Sequence, residues 1–129
     1  MTKLLRPFEE PIYGALRLVV GFLFLCHGAQ KIFGLFGGPH PGMEPAMLWA
    51  VGLIEFVGGA CIAAGLFTRW AAFVCSGQMA VAYFMVHQST GLLPIENRGE
   101  LAALYCWTFL FIAAHGPGAW SFDKILGRS

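Results

Sequence analysis

Charge is what this 129-residue sequence has least of: Asp, Glu, Lys and Arg make up 12% of it, about half the share found in average soluble domains. A chain that is 57% apolar with so few charges cannot cover a globule in water, so the composition excludes a soluble fold and leaves one compact membrane domain. Neither sign of charge dominates. With 8 Lys and Arg against 7 Asp and Glu, the net charge is +1, which offers no basic field to nucleic acid and excludes it as a partner. The four cysteines, at 26, 61, 75 and 106, contain no C-x-x-C, and the histidines contain no i, i+4 pair. A local zinc site, a thioredoxin-type pair and a metal or haem held within one helix are thereby excluded, and no metal is expected. A haem would need His27 and His87 from different helices. Buried cysteine reads here as a small apolar residue. One exception stays open: Cys61 and Cys75 flank the Thr68-Arg69 turn symmetrically and could meet at one depth on adjacent helices.

Long uncharged runs are what the sequence does have. They predict an all-α integral membrane protein, an antiparallel four-helix transmembrane bundle with spans at about 12–35, 46–67, 70–88 and 99–115. The breaks between them carry Gly37-Gly38-Pro39-His40-Pro41-Gly42, Thr68-Arg69 and Thr90-Gly91 through Pro94, none of which continues a helix readily. His40 itself gives no signal. Glu9, Glu10 and Pro11 precede the first run and no small-residue cleavage site follows it, so the first span is expected to remain. Lys3, Arg6, Arg69, Lys124 and Arg128 fall on one side of such a bundle, and Lys31 and Arg98 on the other. The positive-inside rule then puts both termini in the cytoplasm. No internal repeat and no second domain are visible.

Ionisable residues inside such spans are costly, on the order of 2.5–3.5 kcal/mol each on insertion scales, and persist where they are paired or face a cavity. Glu55 falls near the midplane, with His27, Lys31 and Glu100 farther toward the outer face. At about 100° per residue, Gly14, Arg17, Gly21, His27, Gly28 and Lys31 share one arc of the first helix, and its glycines invite close approach by a neighbour. Gly52, Glu55, Gly59 and Ile62 form a stripe on the second helix, and Glu100, Leu104, Thr108, Phe111 and His115 one on the fourth. These stripes are expected to converge. On the third helix Gln78 and His87 point to opposite sides, so at most one of them joins. Glu55 either neutralises Lys31, His27 or Arg17 and locks the bundle, or serves a ligand or proton. Arg17 lies deep enough to need a partner yet near enough to the interface to be a packing residue.

In order along the chain stand Arg17 ahead of His27-Gly28-x-x-Lys31-x-Phe33-Gly34, then Gly52-x-x-Glu55-x-x-Gly58-Gly59 and Gly65-Leu66-Phe67-Thr68-Arg69-x-Ala71-Ala72. Glu96-Asn97-x-Gly99-Glu100-Leu101-Ala102 and Gly116-Pro117-Gly118-x-Trp120-Ser121-x-Asp123 follow. This series resembles the DoxX family of small bacterial membrane proteins over about residues 10–126. The resemblance implies a four-helix protein of the inner membrane, of the type named after the small subunit of a thiosulfate:quinone oxidoreductase, with relatives linked to quinone or catechol resistance and thiol stress. On that reading Glu55, His27 and Lys31 are the candidate catalytic residues, and Arg17, Gln78, His87, Glu96 and Glu100 the candidate ligand-binding ones. No redox centre is encoded locally. Electron transfer would then need a redox partner subunit, or a quinone as both cofactor and substrate; beside the lipid bilayer, a homo-oligomer is the other partner to expect. The same residues also read as internal ion pairs of a non-catalytic membrane scaffold or small-solute carrier.

Overall fold

The computed structural model describes residues 2–39 and 41–128; His40 lies outside the described residues. Among them the chain is all-helical. Helix α1, Glu9–Phe33, has Glu9 and Glu10 in its first turn and Lys31 in its last, charges that match the helix dipole. Gly34, in the left-handed region at φ 66°, stops it two residues before the expected end. Helix α2, Pro45–Ala64, opens on a proline that needs no N–H partner and on the Glu44 carboxylate, which accepts from Met47 N at 3.0 Å. Gly65, at φ 67°, ends it three residues short of expectation. Helix α3, Thr68–Ala82, runs on through a π-helical turn over Tyr83–His87 and a 3-10 turn over Gln88–Thr90. Helix α4 is Glu100–His115.

Among the described residues three stretches are long and apolar enough to cross a membrane: Lys3–Phe33, Pro45–Ala64 and Thr68–Thr90. The 16 residues of α4 rise only about 24 Å against about 30 Å of hydrocarbon, so the fourth run falls short of a full crossing by length. It packs along α3, while α1 lies along α2, and α2 touches α3 to join the two pairs.

Glycine sets the α1/α2 spacing. A Cβ at Gly21 would run into the backbone of Ala63 and Gly59, and one at Gly28 into the backbone of Phe56. Gly59 faces Leu25 and Gly21 in the same way from the other side. The small residues seven apart on α1 thus let two backbones touch, as in membrane helix pairs generally. Between the pairs, Phe24 fills the centre, edge-on to Phe109 at 4.7 Å and tilted on Tyr105 at 5.1 Å. Large apolar side chains such as Phe22, Phe73, Leu104 and Trp107 stand on the outside, exposed. That inversion suits hydrocarbon as solvent.

The face of α4 differs from the expected one. Ala102, Tyr105, Phe109 and Ile112 are buried, whereas Glu100, Leu104, Phe111 and His115 are exposed. Glu100 and His115 sit at the two helix ends, where a polar group reaches water without facing the interior. Their polarity therefore says nothing about which side packs.

Candidate functional site

Glu55 is the eleventh residue of a twenty-residue helix, so its Cα lies within about 1 Å of the helix midpoint. Only 3% of it is exposed. The close α1/α2 approach at Gly28 and Gly52 puts Lys31 beside it: Lys31 Nζ donates to Glu55 Oε2 at 2.6 Å, with both side chains largely out of solvent. From α3, Gln78 Nε2 donates to Glu55 Oε1 at 3.3 Å. Three helices therefore meet on one carboxylate. Gln78 Oε1 is buried and accepts no hydrogen bond from the protein. His27, one turn before Lys31, stands edge-on to the Tyr105 ring of α4 at 6.0 Å between centroids. Tyr105 was not among the expected site residues; its burial on α4 brings the fourth helix to the same level.

The remaining candidates lie elsewhere. His87, in the π-helical turn, pairs through Nδ1 with the carbonyl of Asn97 at 3.1 Å, so of the two α3 candidates it is Gln78 that reaches Glu55. Glu96, in the short helix Pro94–Asn97, and Glu100, the first residue of α4, are exposed. Arg17 is fully buried but at the opposite end of α2 from the Lys31 approach, and its partners are carbonyls. Nη1 donates to Ile62 O at 2.6 Å and Ala63 O at 2.7 Å, and Nη2 to Ala119 O at 3.0 Å and Trp120 O at 2.9 Å. It is a C-cap for α2 and a tie for the chain after α4, not a ligand group beside Glu55. Among the described residues no group of three His, Cys, Asp or Glu is placed to hold a metal, and all four cysteines are free thiols.

A second polar network, at the Arg17 end, has no counterpart in the sequence reading. Arg69, in the first turn of α3, donates to the carbonyls of Ala113, Ala114 and His115 at the end of α4. Asp123, in the short helix Phe122–Ile125, accepts from Phe67 N and from Thr68 N and Oγ1 at the start of α3. Burial pushes the Asp123 carboxyl up, but the Thr68 and Phe67 hydrogen bonds and the nearby Arg128 outweigh it, and its pKa lies below the ordinary value. Cations thus sit on helix C-termini and an anion on a helix N-terminus, as the dipoles favour. The signal was present in Gly116-Pro117-Gly118-x-Trp120-Ser121-x-Asp123: without a Cβ, Gly116 clears the Arg69 guanidinium and Gly118 the Tyr13 ring.

A family model described as DoxX matches residues 13–88. An uncharacterized protein of Haemophilus influenzae is 42% identical over 116 residues, covering 84% of this chain and 86% of the relative. The inner membrane protein YqjF of Escherichia coli is 32% identical over 120 residues, covering 87% and 89%. An uncharacterized membrane protein of Mycobacterium tuberculosis is 30% identical along 147 aligned positions, covering 98% and 88%. No solved structure matches the chain.

Proposed function

The chain belongs to the DoxX family, and on that premise we propose that it is a multi-pass inner-membrane protein whose Glu55, Lys31 and Gln78 receive the headgroup of a quinone. The bundle is read as antiparallel with four crossings and cytoplasmic termini. The membrane placement follows the Escherichia coli relative, an inner membrane protein by name, and the three spanning stretches. The orientation follows the excess of Lys and Arg at the end that carries the termini.

The observation that carries the quinone reading is Gln78 Oε1, a buried acceptor with no donor beside an ion pair. Leaving such an atom unmet costs about 1–3 kcal/mol. A reduced headgroup's hydroxyl supplies the missing donor. Glu55 then stands as the base that takes or returns a proton, and Lys31 steadies negative charge on the headgroup oxygen. His27, against Tyr105, lies one turn before Lys31, on its cytoplasmic side in this orientation, as a second proton-carrying group. The redox step belongs to the quinone itself, as substrate or as carrier to a partner subunit.

A second reading draws on the 2.6 Å Lys31–Glu55 contact, in which each charge already answers the other. Here the pair fastens α1 to α2 in a non-catalytic scaffold or small-solute carrier. One experiment separates the two. Protein purified in mild detergent is extracted with organic solvent and the extract is scanned in the ultraviolet before and after borohydride reduction. Bound quinone in the native protein and none in Glu55→Gln, with helicity unchanged, supports the headgroup site. An extract without quinone, together with a melting temperature that a short-chain ubiquinone analogue does not raise, leaves the scaffold.

A further inference from the structure

Two hollows meet where α3 begins. The smaller, about 200 Å³, is lined by Phe67, Thr68, Arg69, Trp70, Asp123 and Arg128. The larger, about 530 Å³, is an apolar trough between α2 and α3 whose walls include Leu53, Val57, Cys61, Val74 and Cys75. Phe67 and Trp70 line both, so the polar hollow is the mouth of the apolar one. At the trough's floor Gly58 packs close against Cys75, where a Cβ would run into Cys75 Sγ. From Cys61 to Leu53 the trough follows α2 for about 12 Å, close to the ~15 Å hydrocarbon depth of one leaflet.

The mouth is cationic. Arg69, which also holds the α4 carbonyls through its Nη atoms, and Arg128 line it with one acid, Asp123, whose carboxylate is taken up by Phe67 and Thr68. The Arg128 guanidinium lies 4.8 Å over the Phe67 ring, a position that holds it at the rim. Trp70, in the first turn of α3, is 74% exposed beside it, the helix-end position at which tryptophans border headgroups. One unmatched positive charge at the mouth complements the single negative charge of a phosphodiester. An aromatic border and an apolar trough as deep as one leaflet complement the glycerol and an acyl chain.

We propose that this composite holds one anionic phospholipid of the surrounding bilayer, its phosphodiester between Arg69 and Arg128 and one acyl chain along the α2/α3 trough. The proposal rests on the chain's insertion in a membrane and is independent of the Glu55 reading. The full chain with Trp49, Trp107 and Trp120 changed to Phe keeps Trp70 as its fluorophore. In non-ionic detergent it is titrated with phosphatidylglycerol or phosphatidylcholine bearing brominated acyl chains. Saturable quenching is expected, about fivefold tighter for phosphatidylglycerol, the factor that corresponds to the ~1 kcal/mol an arginine contributes near a membrane surface. Arg128→Gln should bring phosphatidylglycerol to the level of phosphatidylcholine with helicity unchanged, and Val74→Phe, which narrows the trough, should weaken both. Inorganic phosphate should leave the quenching as it was. Equal affinity for the two lipids, a preference that survives Arg128→Gln, displacement by phosphate alone, or no saturable quenching would each overturn the proposal.

Discussion

Asp123 Oδ2 accepts two hydrogen bonds from Thr68, one from the backbone N–H and one from the hydroxyl, each at 2.8 Å. The residue at the N-cap position of α3 is Phe67, which has no side-chain oxygen and sits at φ 48°. The cap therefore comes from a residue near the far end of the chain. The turn between α2 and α3 closes only when the segment after α4 has come back to it, and Asp123 N to Gly65 O at 2.8 Å completes the clasp.

Acid should release that clasp. The Asp123 carboxyl is held below its ordinary value of 3.8, so its contribution is fully present above about pH 4 and is lost as the pH falls through the lowered folded value. Melting temperatures in detergent between pH 3 and 7 should drop at the acid end, and Asp123→Asn should flatten that drop. At neutral pH the variant should be less stable by about 2 kcal/mol, the scale of hydrogen bonds to a charged group. A native-like acid profile in Asp123→Asn would contradict the assignment.

Arg17 should prove to be a stability residue. Its four carbonyl partners span the end of α2 and the loop after α4, and a lysine cannot reach them with one ammonium. Arg17→Gln leaves those carbonyls without their donor and should cost on the order of 3 kcal/mol, given about 1–3 kcal/mol for each buried acceptor left unmet. Arg17→Lys should recover only part of this. Detergent-solubilised yield and thermal unfolding measure both; quinone-analogue binding by whatever Arg17→Lys folds should be unchanged.

Much of this was legible in the sequence because the membrane forbids most alternatives. A carboxylate halfway along an apolar run has to turn inward, which placed the Gly52, Glu55, Gly59 and Ile62 stripe on the buried side of α2. Glycines seven apart marked the face of α1 that α2 touches. Helix geometry also limited α3 to Gln78 or His87. The α4 face was not legible, since in that helix both core and lipid faces are apolar and the polar residues cluster at the ends. Nor were the partners of Arg17 and Asp123, because backbone carbonyls and N–H groups 45 or more residues away leave no side-chain pattern to read. The depth of Arg17 was readable; the chemistry of neither was.

Two glycines should respond in opposite directions. A Cβ at Gly28 would meet the backbone of Phe56, which cannot give way without parting α1 from α2. Gly77 has nothing within 4 Å of such a Cβ and lies inside α3. Gly28→Ala should therefore destabilise by about 1–3 kcal/mol, as overpacking does, whereas Gly77→Ala should stabilise by up to about 1 kcal/mol through helix propensity. Unfolding in mixed micelles with a denaturing detergent gives both numbers, and equal effects would refute the close-packed seam.

The Lys31–Glu55 pair should behave asymmetrically. Lys31 lies in the last turn of α1 with 13% of its side chain exposed, so an unpaired ammonium can extend toward the interface. Glu55, at mid-helix with 4% exposed, has no such route. Lys31→Met should therefore cost about 3 kcal/mol, the lower end for stranding a buried charge, or force Glu55 to hold its proton. Glu55→Gln keeps the shape and an acceptor for Lys31, and should cost about 1 kcal/mol. The double variant removes both charges and should regain most of what Lys31→Met loses, since replacing a buried pair outright is often near neutral. A thermodynamic cycle over the four proteins measures the coupling. Simple additivity would mean that the two charges do not depend on each other, and a larger loss in Glu55→Gln than in Lys31→Met would overturn the asymmetry. Quinone-analogue binding read on the same proteins then decides the role of the pair. If the stable double variant loses the ligand, the carboxylate and ammonium act on the headgroup; if it binds unchanged, they serve only to hold α1 against α2.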